Sequence, residues 1–130
     1  MVIDTSAVLA ILLGERDAAA FARAIEQAED RRMSAANYLE AAMVIDNRGD
    51  PVARREFDRF FERSGIAIDP VNVALARMAR QAHQDFGRGR HRAALNFGDC
   101  LAYALARVLD QPLLYKGRDF SQTDIQSALR

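Results

Sequence analysis

Apolar residues fall along this chain in two rhythms. Val2-Ile3, Arg31-Arg32-Met33, Ile66-Ala67-Ile68 and Leu113-Leu114-Tyr115 are short runs that predict strands, the second being the weakest. Val2-Ile3 and Leu113-Leu114-Tyr115 are apolar without alternation, as in strands buried on both faces of a parallel sheet. Elsewhere the spacing and the punctuating residues predict helices over residues 7–13, 18–28, 35–47, 52–63, 71–85 and 100–109. Gly14 closes the first of these and Gly65 the fourth, Ser34 suits the cap of the third, and Pro51 opens the fourth. Gly87-Arg88-Gly89-Arg90-His91-Arg92 is a basic, glycine-broken loop. Short strands alternating with helices give the α/β class, a parallel sheet with helices on both faces.

Of the 18 carboxylates, four stand where a solvated face would not put them. Asp4 ends the first buried strand, where open α/β sheets bind ligands, although Asp4 or Ser6 also suits the cap of the next helix. Glu40 shares a helical stripe with Ala36, Met43 and Val44, so it is either paired with a buried arginine or functional. Asp99 opens a helix whose next seven residues, Cys100-Leu101-Ala102-Tyr103-Ala104-Leu105-Ala106, are almost wholly apolar. Such a helix is buried, and its amino end favours a negative charge. Asp119 follows the last strand as Asp4 follows the first, with Asp124 five residues on as the alternative. Carboxylates converging at one sheet edge stay ionised together only around a cation, and an all-oxygen donor set selects Mg²⁺ or Mn²⁺. Hard metals on a few carboxylates suit phosphoryl chemistry.

Composition narrows the reading. The 130 residues suit a single domain over residues 1–130, and 18 basic against 18 acidic residues exclude a protein that coats nucleic acid by bulk charge. Cys100 is the one cysteine, so no internal disulfide forms and a reducing compartment is expected. No signal segment and no apolar span of ~20 residues is present, which predicts a cytoplasmic protein without membrane contact.

The chain resembles the PIN-domain ribonucleases, and within them the VapC-type toxins of bacterial toxin–antitoxin pairs. The likeness rests on Val2-Ile3-Asp4-Thr5-Ser6-Ala7, on Glu40 within Asn37-Tyr38-Leu39-Glu40-Ala41, and on Asn96-Phe97-Gly98-Asp99-Cys100-Leu101-Ala102-Tyr103-Ala104. It closes on Leu114-Tyr115-Lys116-Gly117-Arg118-Asp119-Phe120-Ser121-Gln122-Thr123-Asp124-Ile125. The resemblance implies a PIN-like α/β/α sandwich, with a short, mostly parallel sheet flanked by helices. It implies Mg²⁺- or Mn²⁺-dependent cleavage of RNA such as tRNA or rRNA, by metal-bound water that leaves a 5′-phosphate. Asp4 and Asp99 would be the principal metal ligands, Glu40 and Asp119 would complete an acidic quartet, and Ser6 would hydrogen-bond within it. Whether Asp119 or Asp124 is the fourth acid stays open. A homodimer and an inhibitory antitoxin whose tail enters the acidic site are implied as well.

Basic residues beside the acids, Arg88, Arg90, Arg92, Lys116 and Arg118, are expected to contact RNA phosphates. The Phe57, Phe60 and Phe61 helix is the apolar stripe to examine for an antitoxin groove. Two rival classes remain: a receiver-like phosphoacceptor domain, with Asp69 and Lys116 as its signature residues, and a non-catalytic module that keeps the PIN fold. An Asp-nucleophile phosphatase lacks its second acid, because position 6 is Ser.

Overall fold

The computed structural model describes residues 1–129. Its elements in order are β1 (Val2–Ile3), α1 (Thr5–Leu12), α2 (Ala18–Gln27), β2 (Arg32–Ser34), α3 (Ala35–Asp46) and α4 (Pro51–Ser64). β3 (Ala67–Asp69), α5 (Val73–Phe86), α6 (Phe97–Leu109) and β4 (Leu113–Leu114) follow, then a 3-10 turn at Phe120–Gln122. Every strand pairing is parallel, in the order β3-β2-β1-β4.

Neighbouring residues of one strand enter different cores. Val2 and Leu113 join the core built with α5 and α6, while Ile3, Met33 and Leu114 join the core built with α1 to α4. The result is the expected α/β/α sandwich, with a sheet wholly rather than mostly parallel. Ile3, Met33, Leu113 and Leu114 are completely buried. Each such side chain contributes about 1.5–3 kcal/mol relative to exposure. β3 is the exception. Only Ile66, just before it, is buried, and Ala67 and Ile68 lie exposed on the sheet edge.

Several boundaries differ from the sequence expectation for one reason: polar caps set where helices begin. Asp4 caps α1, so the helix starts at Thr5; Asn72 caps α5, which starts at Val73. α6 starts at Phe97 because Asn96 and Asp99 form a reciprocal capping box, each side chain accepting from the other's backbone N–H. Arg31 was expected in a strand. Instead its guanidinium donates to the carbonyls of Ala28, Glu26 and Ser64, tying the ends of α2 and α4 together.

From β1 the chain builds outward through β2 and β3, then crosses back to lay β4 on the other side of β1. The strand order therefore reverses between β1 and β4. In open α/β sheets the crevice at the carboxyl ends of such strands is where ligands bind. No helix is long and apolar enough to cross a membrane.

Candidate active site

Asp4 leaves β1 at that crevice and is 4% exposed. Its Oδ2 accepts from the Ser6 amide at 3.0 Å and the Ser6 hydroxyl at 2.6 Å. Ser6 Oγ in turn accepts from the Lys116 amide at 2.9 Å, which joins the ends of β1 and β4. Burial pushes the Asp4 carboxyl up to about 7; the Ser6 hydrogen bonds oppose the rise, and the charges of Asp99 and Glu40 add to it.

Asp99 sits in the first turn of α6, half-buried, with Oδ2 accepting from the Asn96 amide at 3.1 Å. Burial raises its pKa, the Asn96 bond lowers it, Asp119 and Glu40 raise it, and Arg88 lowers it. Asp4, Glu40 and Asp99 are therefore close enough to act on one another, and Asp119 acts on Asp99. Asp124 accepts from the Tyr103 hydroxyl at 2.5 Å. Asp119, exposed ahead of the 3-10 turn, is the acid near Asp99.

Glu40 arrives by a different route from the one expected. Met43 and Val44 on its stripe are 54% and 39% exposed, so the stripe is surface and not core. No arginine pairs with Glu40 among the described residues. What brings it in is Gly98: a Cβ built there would lie 2.6 Å from Glu40 Oε1 and 2.7 Å from Oε2. The missing side chain leaves the space that the carboxylate occupies.

Three buried polar residues stand behind the acids: Ser34, which caps α3 as expected, and Thr5 and Asn37, to which the sequence reading gave no role of their own. Asn37, completely buried, donates from Nδ2 to the Gly98 carbonyl at 3.0 Å and to Thr5 Oγ1 at 3.3 Å. Thr5 Oγ1 donates to the Asn37 carbonyl at 3.0 Å, and Ser34 Oγ donates to Asn37 Oδ1 at 2.5 Å. The available signal was spacing alone, Asn37 lying three residues before Glu40 as Asn96 lies three before Asp99.

The donor set fits a divalent cation. None of the four acids has a basic partner within ion-pair distance among the described residues, and one of them is buried. A buried carboxylate without a cation is costly, and hard oxygen donors match Mg²⁺ or Mn²⁺. As placed, no three Asp, Glu, His or Cys side chains of the described residues close around a common point, so ligation requires side-chain adjustment.

The basic residues divide. Lys116 Nζ pairs with Glu15 and, at 3.3 Å, with Asp17. Arg88, Arg90, Arg92 and Arg118 are exposed and make no ion pair among the described residues, and Arg88 lies near enough to Asp99 to lower its pKa. Asp69, the acceptor a receiver-like domain would need, is held by Arg32 at 2.8 Å.

The PIN domain family model matches residues 1–126. Ribonuclease VapC28 of Mycobacterium tuberculosis is 52% identical over 130 residues, covering 99% of this chain and 98% of that protein. Ribonuclease VapC of Mycolicibacterium smegmatis is 48% identical over 125 residues, covering 96% of this chain and 97% of that one. Among solved structures, Mycobacterium tuberculosis VapC20, titled a sarcin-ricin loop cleaving toxin, superposes with a TM-score of 0.74 at 15% identity over 95% of each chain. A toxin–antitoxin complex from Klebsiella pneumoniae gives 0.70 at 16% identity, over 95% of this chain and 92% of the other. These two share the fold. The sequence relatives and the domain match carry the assignment: the chain belongs to the PIN-domain family, in its VapC branch.

Proposed function

We propose that this chain is a Mg²⁺- or Mn²⁺-dependent endoribonuclease, a single nuclease domain over residues 1–130 acting in the cytoplasm as the toxin of a toxin–antitoxin pair. Its substrate is a structured RNA, tRNA or rRNA. The observation that carries this reading is a buried Asp4 without a basic partner, coupled to Asp99 and Glu40 at the sheet's switch point. It sits in a chain whose relatives are named ribonucleases.

Asp4 and Asp99 are the principal ligands in this reading, with Glu40 and Asp119 holding the ion directly or through water. Both Ser6 contacts fall on Asp4 Oδ2, which leaves Oδ1 for a cation. A bound divalent ion supplies positive charge to phosphate oxygens and makes water a better nucleophile near neutral pH. Arg88, Arg90, Arg92, Lys116 and Arg118 position the RNA backbone.

Two surfaces suit protein partners. A groove of about 500 Å³ between α1, α2 and α4 is lined by Ile11, Leu12, Ile25 and Phe60, rimmed by Arg59 and Glu56. It suits an amphipathic antitoxin helix. Phe60 is the aromatic that reaches it, because Phe57 is 5% exposed and packs in the core against Tyr38 and Phe61. Leu39, Met43, Val71, Val73 and Phe97 are exposed on α3, at the start of α5 and at the start of α6. Val71 and Phe97 line one apolar depression, and with such neighbours they suit a homodimer face.

The test is cleavage of labelled total RNA by antitoxin-free protein with Mg²⁺ or Mn²⁺, beside Asp4→Asn and Asp99→Asn. Discrete, EDTA-sensitive products absent from both variants are expected. Equal products from all three proteins would reject the nuclease and favour a binding module.

A further inference from the structure

Three of the four acids proposed to hold the metal come from three separate helices, and nothing in those elements alone fixes their spacing. Asp4 caps α1, Glu40 rides on α3 and Asp99 opens α6. α3 packs against both α1 and α6. At the crossing of the three, one amide reaches both sides.

We infer that Asn37 is a positioning residue that sets the separation of the Asp4, Glu40 and Asp99 carboxylates for a divalent ion. The inference rests on the metal reading above and names a residue that reading does not use. The two Nδ2 bonds are the basis. One goes to the carbonyl of Gly98, the residue before Asp99, and the other to the hydroxyl of Thr5, the residue after Asp4. Each anchor is therefore one residue from a carboxylate. Glu40 lies one helical turn beyond Asn37 and rests on the same Gly98 whose carbonyl Asn37 holds. Ser34 completes the arrangement by donating to Oδ1, which fixes the amide's orientation and directs its NH₂ at the other two elements. The donors are buried, so water cannot replace them without opening the packing between α3 and α6. A residue placed only for stability would have no reason to join the immediate neighbours of two functional acids.

Partners behind metal ligands commonly change metal affinity about 10–100-fold when removed. The experiment measures Mn²⁺ binding to RNA-free protein by titration calorimetry, with melting temperature recorded without metal. Wild type, Asn37→Leu and Thr5→Val are compared. Asn37→Leu keeps the branched shape, at the cost of a larger side chain, and removes both donors, and Thr5→Val removes one acceptor while keeping the shape. The expected result is roughly a tenfold or greater loss of Mn²⁺ affinity for Asn37→Leu and a smaller loss for Thr5→Val. A lower melting temperature with wild-type Mn²⁺ affinity in folded Asn37→Leu overturns the inference and leaves Asn37 a stability residue. Should Asn37→Leu fail to fold, Thr5→Val decides alone, and unchanged affinity there overturns it equally. Wild-type protein that binds no Mn²⁺ overturns the metal reading itself, and the inference with it.

Discussion

Gly98 shows how little a residue must carry to matter. It lies in the first turn of α6, and a methyl group there would press on Glu40 Oε1 and Oε2, the flexible end of a side chain. Alanine favours a helix over glycine by about 1 kcal/mol. Gly98→Ala is therefore expected to melt at or slightly above the wild-type temperature while Glu40 is displaced and RNA cleavage falls at least ~10-fold. Loss of stability with full activity would contradict the assignment of Glu40. Asp4 makes a second prediction. In metal-free protein its proton is held to about pH 7 when folded, against an ordinary 3.8. Between those values the folded chain holds more protons than the unfolded one. The Asp4 contribution is thus fully present below about pH 4, declines by up to about 1.4 kcal/mol per pH unit, and is lost by about pH 7. The difference in unfolding free energy between wild type and Asp4→Asn, followed from pH 4 to 7, measures this slope; a flat difference refutes it. Asp4 and Asp99 were legible because a carboxylate breaks an apolar run. Asn37 was not, because an amide inside a helix has no such contrast, and its burial is decided by two elements remote in sequence.

Element boundaries were legible wherever glycine or proline punctuates, as at Gly65, which takes φ +68° after α4, and Pro51, which opens it. They slipped where side chains of Asp and Asn cap helices whose first residues are apolar, as at Asn96 and Asn72. Strand β3 was expected as a clear strand, yet it is the exposed edge, because sequence alone cannot rank strands in a sheet. Helix α4 divides cleanly into two functions. Phe57 meets Tyr38 at 5.5 Å and Phe61 at 4.9 Å between ring centres, and it is buried. Phe57→Ala should cost about 3–5 kcal/mol in denaturant unfolding. Phe60, on the groove, should cost far less in stability when replaced by Ala but weaken antitoxin binding. The reverse pattern would move the antitoxin elsewhere.

At the scale of the molecule, equal numbers of acids and bases hide an uneven distribution. Four of the acids, Asp4, Glu40, Asp99 and Asp119, lie near the end of β1, and Arg88, Arg90 and Arg92 stand on the loop that leads to α6. Replacing these three by Ala should weaken RNA binding by a non-cleaving Asp4→Asn protein and reduce the slope of log affinity against log salt by up to ~2–3 units. An unchanged slope would remove the loop from the RNA path. The α/β class and parallel pairing followed from the rhythm of the sequence. The order β3-β2-β1-β4 did not, since it depends on which edge of β1 the last strand finds.

That last pairing sets a timetable. Val2 aligns with Leu113 and Ile3 with Leu114, so β1 waits for the much later β4 to complete its ladder. Asp4 is translated well before Asp99 and Asp119. Contacts this distant in sequence form late in folding. A nascent chain therefore carries Asp4 without the other acids proposed for the site, and that group is complete only once translation has passed β4 and reached Asp119.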